Sequence, residues 1–188
     1  TLLKQQEKTE QVPHLLSMTA TPIPRTLALA LYDDLQTSIL KKVPSGRKPI
    51  ITKVVTEDGR AKIYEFIKKE IKAGRQAFII TPRVEDSETS TTKSVKTEFK
   101  RLSDDIFPKF TLGLLYGKMK GADKEKTMEA FNNKRLDILV ATSVIEIGID
   151  VPNATTMIIE GAQNFGLAQL HQLRGRVGRG SEQSYCFL

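Results

Sequence analysis

From residue 50 onward the apolar positions alternate between two rhythms. Residues 50–55 are β-branched and strand-like, and Ile63, Phe66, Ile67 and Ile71 recur at helical spacing within residues 60–72 until Gly74 stops them. Short apolar runs at 76–81, 111–116, 138–142, 155–159 and 183–188 read as strands. Helical patterns at 93–103, 123–131 and 167–174 stand between them, and residues 82–92, rich in Ser, Thr and acids, read as a flexible loop. Strands alternating with helices of about 8 to 12 residues predict βαβ units around a parallel sheet. Crossovers in such a sheet are right-handed, and ligands gather at loops beyond the carboxyl ends of the strands.

Upstream the pattern is less regular. Residues 1–13 are polar and charged, an arm or helix, and 15–18 read as a strand end. Pro22 and Pro24 turn the chain, with Pro24 placed to open a helix reaching residue 32, and 36–43 form a further short strand. Residues 44–49 hold two prolines and a glycine and mark the expected domain boundary, between 1–43 and 44–188. The chain opens on Thr1 and closes on the apolar run Tyr185, Cys186, Phe187 and Leu188, so a piece of a longer protein is expected.

Composition narrows the class. The 188 residues are 39% apolar and 27% charged, with a formal charge of +7. That excess permits a polyanionic partner without requiring one. The single cysteine, Cys186, rules out an internal disulfide and suits a reducing cytosol, as a small buried hydrophobe. No apolar stretch is long enough to span a membrane, so no membrane partner is expected. His14 and His171 are isolated and read as packing or hydrogen-bonding groups, not metal ligands.

Three stretches carry candidate chemistry. Residues 169–180, QLHQLRGRVGRG, set Arg174, Arg176 and Arg179 between Gly175 and Gly178, with Gln169 and Gln172 one helical turn apart before them. Glycine lets the backbone bend and an anion approach, and guanidinium groups grip phosphate oxygens in pairs. Residues 141–150, ATSVIEIGID, end a strand on Thr142 and Ser143 and lead to Gly148 and Asp150. Residues 17–26, SMTATPIPRT, run a strand end into Thr19 and Thr21. Taken singly, each has a bland reading: a solvated basic loop, a capped turn, a proline turn.

In this order the three stretches resemble motifs III, V and VI of superfamily-two helicases, with Gln172, Gly175, Arg176, Gly178 and Arg179 matching the last motif. MTATPIPRTLALALYDDLQTSI, the PSGRKP loop, LLYGKMKGADKEKTMEAF and FGLAQLHQLRGRVGRGSEQSYC are similar to the RecG family of branched-DNA helicases over nearly the whole chain, less so at 85–108. The transcription-repair coupling translocase shares TATPIPRT and the arginine motif and stays an alternative, as does a non-catalytic nucleic-acid-binding module.

The resemblance implies an α/β, RecA-like parallel sheet flanked by helices, of P-loop NTPase type. Residues 1–43 would close a first motor lobe and 44–188 form the second. No G-x-x-x-x-G-K-[ST] occurs, so ATP with Mg2+ would be bound mainly by the rest of the first lobe, and the chain alone would be inactive. The resemblance assigns Arg179, then Arg176, to an arginine finger on the γ-phosphate, with Gln172 positioning water or phosphate. It puts Gly148, Asp150, Gly175 and Gly178 near the nucleotide, and Thr142, Ser143 and Lys118 on the DNA backbone. Thr19 and Thr21 would couple the lobes. Forked or junction DNA, a first lobe and a wedge domain are the implied partners, in a cytoplasmic, nucleoid-associated setting. The arginine turn is expected close to the sheet edge that holds residue 142, and the motor reading is made to depend on that closeness.

Overall fold

The chain divides into two units, Thr1–Thr37 and Ser38–Leu188. The computed structural model describes residue 38 and residues 46–82, 88–142 and 151–188, with 88–93 as backbone alone. The expectations placed on residues 1–37, including Thr19 and Thr21, and on the boundary at 43 lie outside the described residues.

Six strands form one sheet: β1 Ile51–Lys53, β2 Gln76–Ile80, β3 Leu112–Leu115, β4 Ile138–Ala141, β5 Ala154–Ile159 and β6 Tyr185–Phe187. They lie in the order β1-β6-β5-β2-β4-β3, every pair parallel. Among the described residues the α-helices are α1 Arg60–Lys72, α2 Glu88–Arg101, α3 Gly121–Asn132 and α4 Leu167–Arg174. The α/β expectation holds, and α1 and α4 have the predicted bounds.

Strand periodicity builds the core. Successive side chains point to opposite faces, so Ala77, Ile79, Ile138, Val140, Ile158 and Phe187 pack under α1 and the end of α2 with Tyr64, Ile67, Ile71, Leu102 and Phe107. Phe78, Ile80, Leu139, Ala141, Met157, Ile159 and Cys186 face the other way, onto Phe131 of α3 and Leu173 of α4. The central strands are buried throughout, as a sheet covered on both faces requires. β1 is the exception, an exposed strand of three residues shorter than the predicted 50–55.

One boundary differs more. The helix expected at 93–103 begins at Glu88, inside the expected loop 82–92, and runs to Arg101. Ser and Thr are poor helix formers singly. Here Val95 and Leu102, seven residues apart on one face, are buried at 2% and 0% exposure, and that packing overrides propensity. The helix then widens into a π-type turn over Leu102–Ile106, closed by Phe107 N donating to Leu102 O at 2.8 Å.

Candidate nucleotide and nucleic-acid surfaces

Because all strands run the same way, the sheet has one carboxyl edge and one amino edge. The carboxyl edge is a stepped row. Thr142 N donates to Leu115 O at 3.2 Å, Thr81 N to Ala141 O at 2.8 Å, and Glu160 N to Ile80 O at 2.8 Å. Thr142 is 2% exposed and offers little surface, whereas Lys118, beyond β3, is exposed. Lysines gather around Lys118. Lys124 Nζ donates to Gly117 O at 2.7 Å, and Lys96 Nζ lies 5.6 Å from the centre of the Tyr116 ring. Lys96, Tyr116 and Lys124 were not singled out from the sequence. The signal available was a helix start, Gly121, directly after a lysine-rich turn.

Further along this edge, beyond the interior strand β5, Glu160 faces Arg60 and Tyr64. Arg60 Nε donates to Glu160 Oε1 at 3.1 Å and Tyr64 Oη to the same oxygen at 3.2 Å. The guanidinium and carboxylate also form an ion pair. The bond to Glu160 raises the Arg60 pKa, against desolvation. Burial, then the Glu160 charge, raises that of Tyr64.

The arginine turn lies elsewhere. α4 follows β5, starts at the carboxyl edge and runs back, so residues 175–184 have to lie where β6 begins. Contacts agree. Ile51 N donates to Ser184 O at 3.0 Å, a Cβ on Gly178 would stand 2.8 Å from Ile50 Cγ1, and one on Gly180 would stand 2.7 Å from Pro152 O. Ile50 and Pro152 precede β1 and β5. The expected closeness of this turn to residue 142 is therefore corrected: the two occupy opposite edges. β5, with six residues, implies a separation of about 20 Å at roughly 3.3 Å per residue.

The turn itself is well built. Gly175 N donates to His171 O at 3.1 Å and Arg176 N to Leu173 O at 2.9 Å. Val177 is buried, Gly178 takes φ +74°, and Arg179 Nε donates to Gly175 O at 3.1 Å across the turn. Gln172, Arg176 and Arg179 are half-buried. The fold thus brings together Gln172, Gly175, Arg176, Gly178 and Arg179, and holds Thr142 and Lys118 apart from them. Ser143, Gly148 and Asp150 lie outside the described residues. Among the described residues no group of three His, Cys, Asp or Glu could hold a metal ion. A cluster of guanidinium and amide donors suits phosphate oxygens instead. Among the same residues no helix is long and apolar enough to cross a membrane.

Residues 60–181 match the model of the helicase conserved C-terminal domain. The chain is 56% identical over 176 residues to the ATP-dependent DNA helicase RecG of Synechocystis sp., covering 94% of this chain and 21% of that protein. It is 49% identical over 173 residues to RecG of Thermotoga maritima, covering 92% of this chain and 22% of the relative. The chain thus spans about a fifth of the length of these relatives. Among solved structures it is similar to RecG bound to a three-way DNA junction, with a TM-score of 0.75 and 47% identity, covering 90% of this chain and 22% of that one. A likeness to yeast Dbp5 bound to RNA and ADP BeF3, at 16% identity and a TM-score of 0.58 over 87% of this chain and 41% of that one, concerns the fold alone.

Proposed function

The chain belongs to the family of helicase conserved C-terminal domains, and on that premise we propose that it is the second motor lobe, with the tail of the first, of an ATP-driven helicase that remodels branched DNA. The reading no longer rests on closeness of the arginine turn to residue 142; the observation that carries it is the match of residues 60–181 to the helicase conserved C-terminal domain, with the arginine turn at one sheet edge and a lysine-rich surface at the other. Identity of 56% to a RecG helicase over 94% of the chain supports this reading above a transcription-repair coupling translocase. Residues 1–43 would belong to the first lobe and 44–188 to the second.

Arg179 and Arg176 neutralise charge developing on the γ-phosphate of ATP held by the neighbouring lobe, a contribution of about 10³ to 10⁵ in rate for such fingers. Gln172, one turn earlier, orients the phosphate or the attacking water. Gly175 and Gly178 give the backbone its close approach, and Gly148 and Asp150 are assigned to the nucleotide. Mg2+ would be held mainly by the first lobe, where it would offset phosphate charge. On the carboxyl edge Lys118 leads the grip on the DNA backbone, and Thr142 and Ser143 are assigned to the same contact. Thr19 and Thr21 couple the lobes.

The buried sheet between the two edges is the transmission. Closing the arginine turn on a nucleotide displaces the whole lobe, and the lysine edge moves with it along the strand. Contacts to phosphate carry no base information, so the movement is independent of sequence. In the full-length protein, Arg179→Ala is expected to lower kcat for DNA-stimulated ATP hydrolysis at least about tenfold while DNA binding survives. Unchanged hydrolysis would remove Arg179 from this role.

A further inference from the structure

A second cationic feature lies beside the arginine turn but outside the helicase motif residues Arg176 and Arg179. A pocket of about 240 Å³ opens between the segment leading into β1 and the end of α4. Arg47 and Lys48 stand on one side and His171 and Arg174 on the other, and among the described residues no carboxylate lines it. Ile50 and Val177 form its apolar wall.

The two sides are held in register. Gln183 Nε2 donates to Pro49 O at 2.8 Å, Ile51 N to Ser184 O at 3.0 Å, and Gly178 packs on Ile50 too closely for a Cβ. Arg174 Nη2 donates to His171 Nδ1 at 3.1 Å. A guanidinium has donors only, so Nδ1 accepts and the ring proton sits on Nε2. Both α4 side chains therefore present donors. Three permanent cations around a small cleft raise the local potential, and a bound anion relieves their repulsion. The cleft is smaller than the roughly 300–1,000 Å³ of typical small-molecule sites, which suits a single oxyanion better than a whole nucleotide.

We infer that this pocket binds a phosphate oxyanion through Arg47, Lys48, Arg174 and the Nε2–H of His171. The group is either free inorganic phosphate or a phosphodiester of a nucleic-acid strand. The assignment does not depend on the roles given to Arg176 and Arg179.

The test is a titration of the 188-residue chain followed by the imidazole NMR signals, with His14 as internal reference. Sodium phosphate is added in one arm and a short single-stranded oligodeoxynucleotide in the other, at constant ionic strength. A saturable shift of the His171 signals is expected, weakened at least about tenfold in Arg174→Gln and in the Arg47→Gln, Lys48→Gln double variant, since each removes charge-assisted bonds. Lys109→Gln, the same charge change on a distant exposed turn, should leave it unaltered. Saturation in the phosphate arm alone identifies free phosphate as the ligand; tighter saturation by the oligonucleotide, lost in the same variants, identifies a backbone phosphate. A shift that stays linear in both arms, or that survives the pocket variants, overturns the inference. All these substitutions are at exposed or half-buried positions, and an unchanged amide spectrum confirms that each variant is folded.

Discussion

Glu160 stands one residue beyond β5 and accepts hydrogen bonds from Arg60 Nε and Tyr64 Oη of α1 at Oε1, while its Oε2 pairs with Arg60 Nη2. The network continues, with Arg101 Nη2 donating to Tyr64 Oη at 3.2 Å and to Glu98 Oε1 at 2.6 Å. One carboxylate thus ties the carboxyl edge of the sheet to two helices. The Glu160 side chain is 15% exposed and that of Arg60 40% exposed, so water only partly replaces what is lost. Glu160→Ala is expected to lower the unfolding free energy by about 1 to 3 kcal/mol, the cost of leaving such partners unsatisfied. Urea unfolding measures it, and an Arg60→Ala, Glu160→Ala cycle isolates the pair. Additive single losses would mean the pair does not couple.

Cys186 lies in the core between the sheet and α4, and burial pushes its thiol up from 9.0 to about 11, with Arg174 pulling weakly the other way. The unfolded thiol releases its proton near pH 9 while the folded one keeps it to about pH 11. Between those values the folded state binds more protons, so this contribution to stability is full below pH 9 and is lost as pH rises towards 11. Cys186→Ala should flatten that part of the stability profile. Iodoacetamide should modify the native thiol only as fast as the chain opens. Rapid alkylation at pH 8 in the folded state would contradict the burial.

The fold was readable because apolar periodicity and burial coincide: the 60–72 and 167–174 patterns became α1 and α4 residue for residue. The start of α2 at Glu88 was not, because Thr and Ser signal a loop locally and only long-range packing of Val95 and Leu102 reverses that. The site was half legible. Gln172, Gly175, Arg176, Gly178 and Arg179 form one turn as their spacing suggested. Their distance from Thr142 follows from a rule that was at hand: a segment after a crossover helix and before a parallel strand lies at the amino edge. The Glu160–Arg60 pair spans 100 residues, and no spacing in the sequence marks it.

The two glycines of the arginine turn are unequal. Gly178 has φ +74°, and a Cβ would stand 2.8 Å from Ile50 Cγ1. Gly175 has φ −67° and room for a Cβ at 3.4 Å from the nearest atom, Gln172 O. Gly178→Ala is expected to cost about 1 to 3 kcal/mol through backbone strain and contact. Gly175→Ala should stay within about 0.5 kcal/mol. Thermal unfolding of the two variants is a direct comparison, and equal losses would show that the left-handed turn is not the constraint.

Separation of the two edges makes nucleotide chemistry and DNA grip independently mutable. Lys118 is exposed at the carboxyl edge beyond β3, on the opposite edge and the far side of the sheet from the arginine turn. In the full-length protein, Lys118→Gln should weaken DNA binding and reduce the log–log salt slope by about 0.9 on duplex or about 0.7 on a single strand, as one lost phosphate contact does. Hydrolysis at saturating DNA should then remain near its original rate, because the arginine turn is untouched. Arg179→Ala should give the reverse pattern, an intact salt slope with hydrolysis lost. A Lys118→Gln variant that loses hydrolysis at saturating DNA, or an Arg179→Ala variant with a shallower salt slope, would mean that both edges serve one contiguous site.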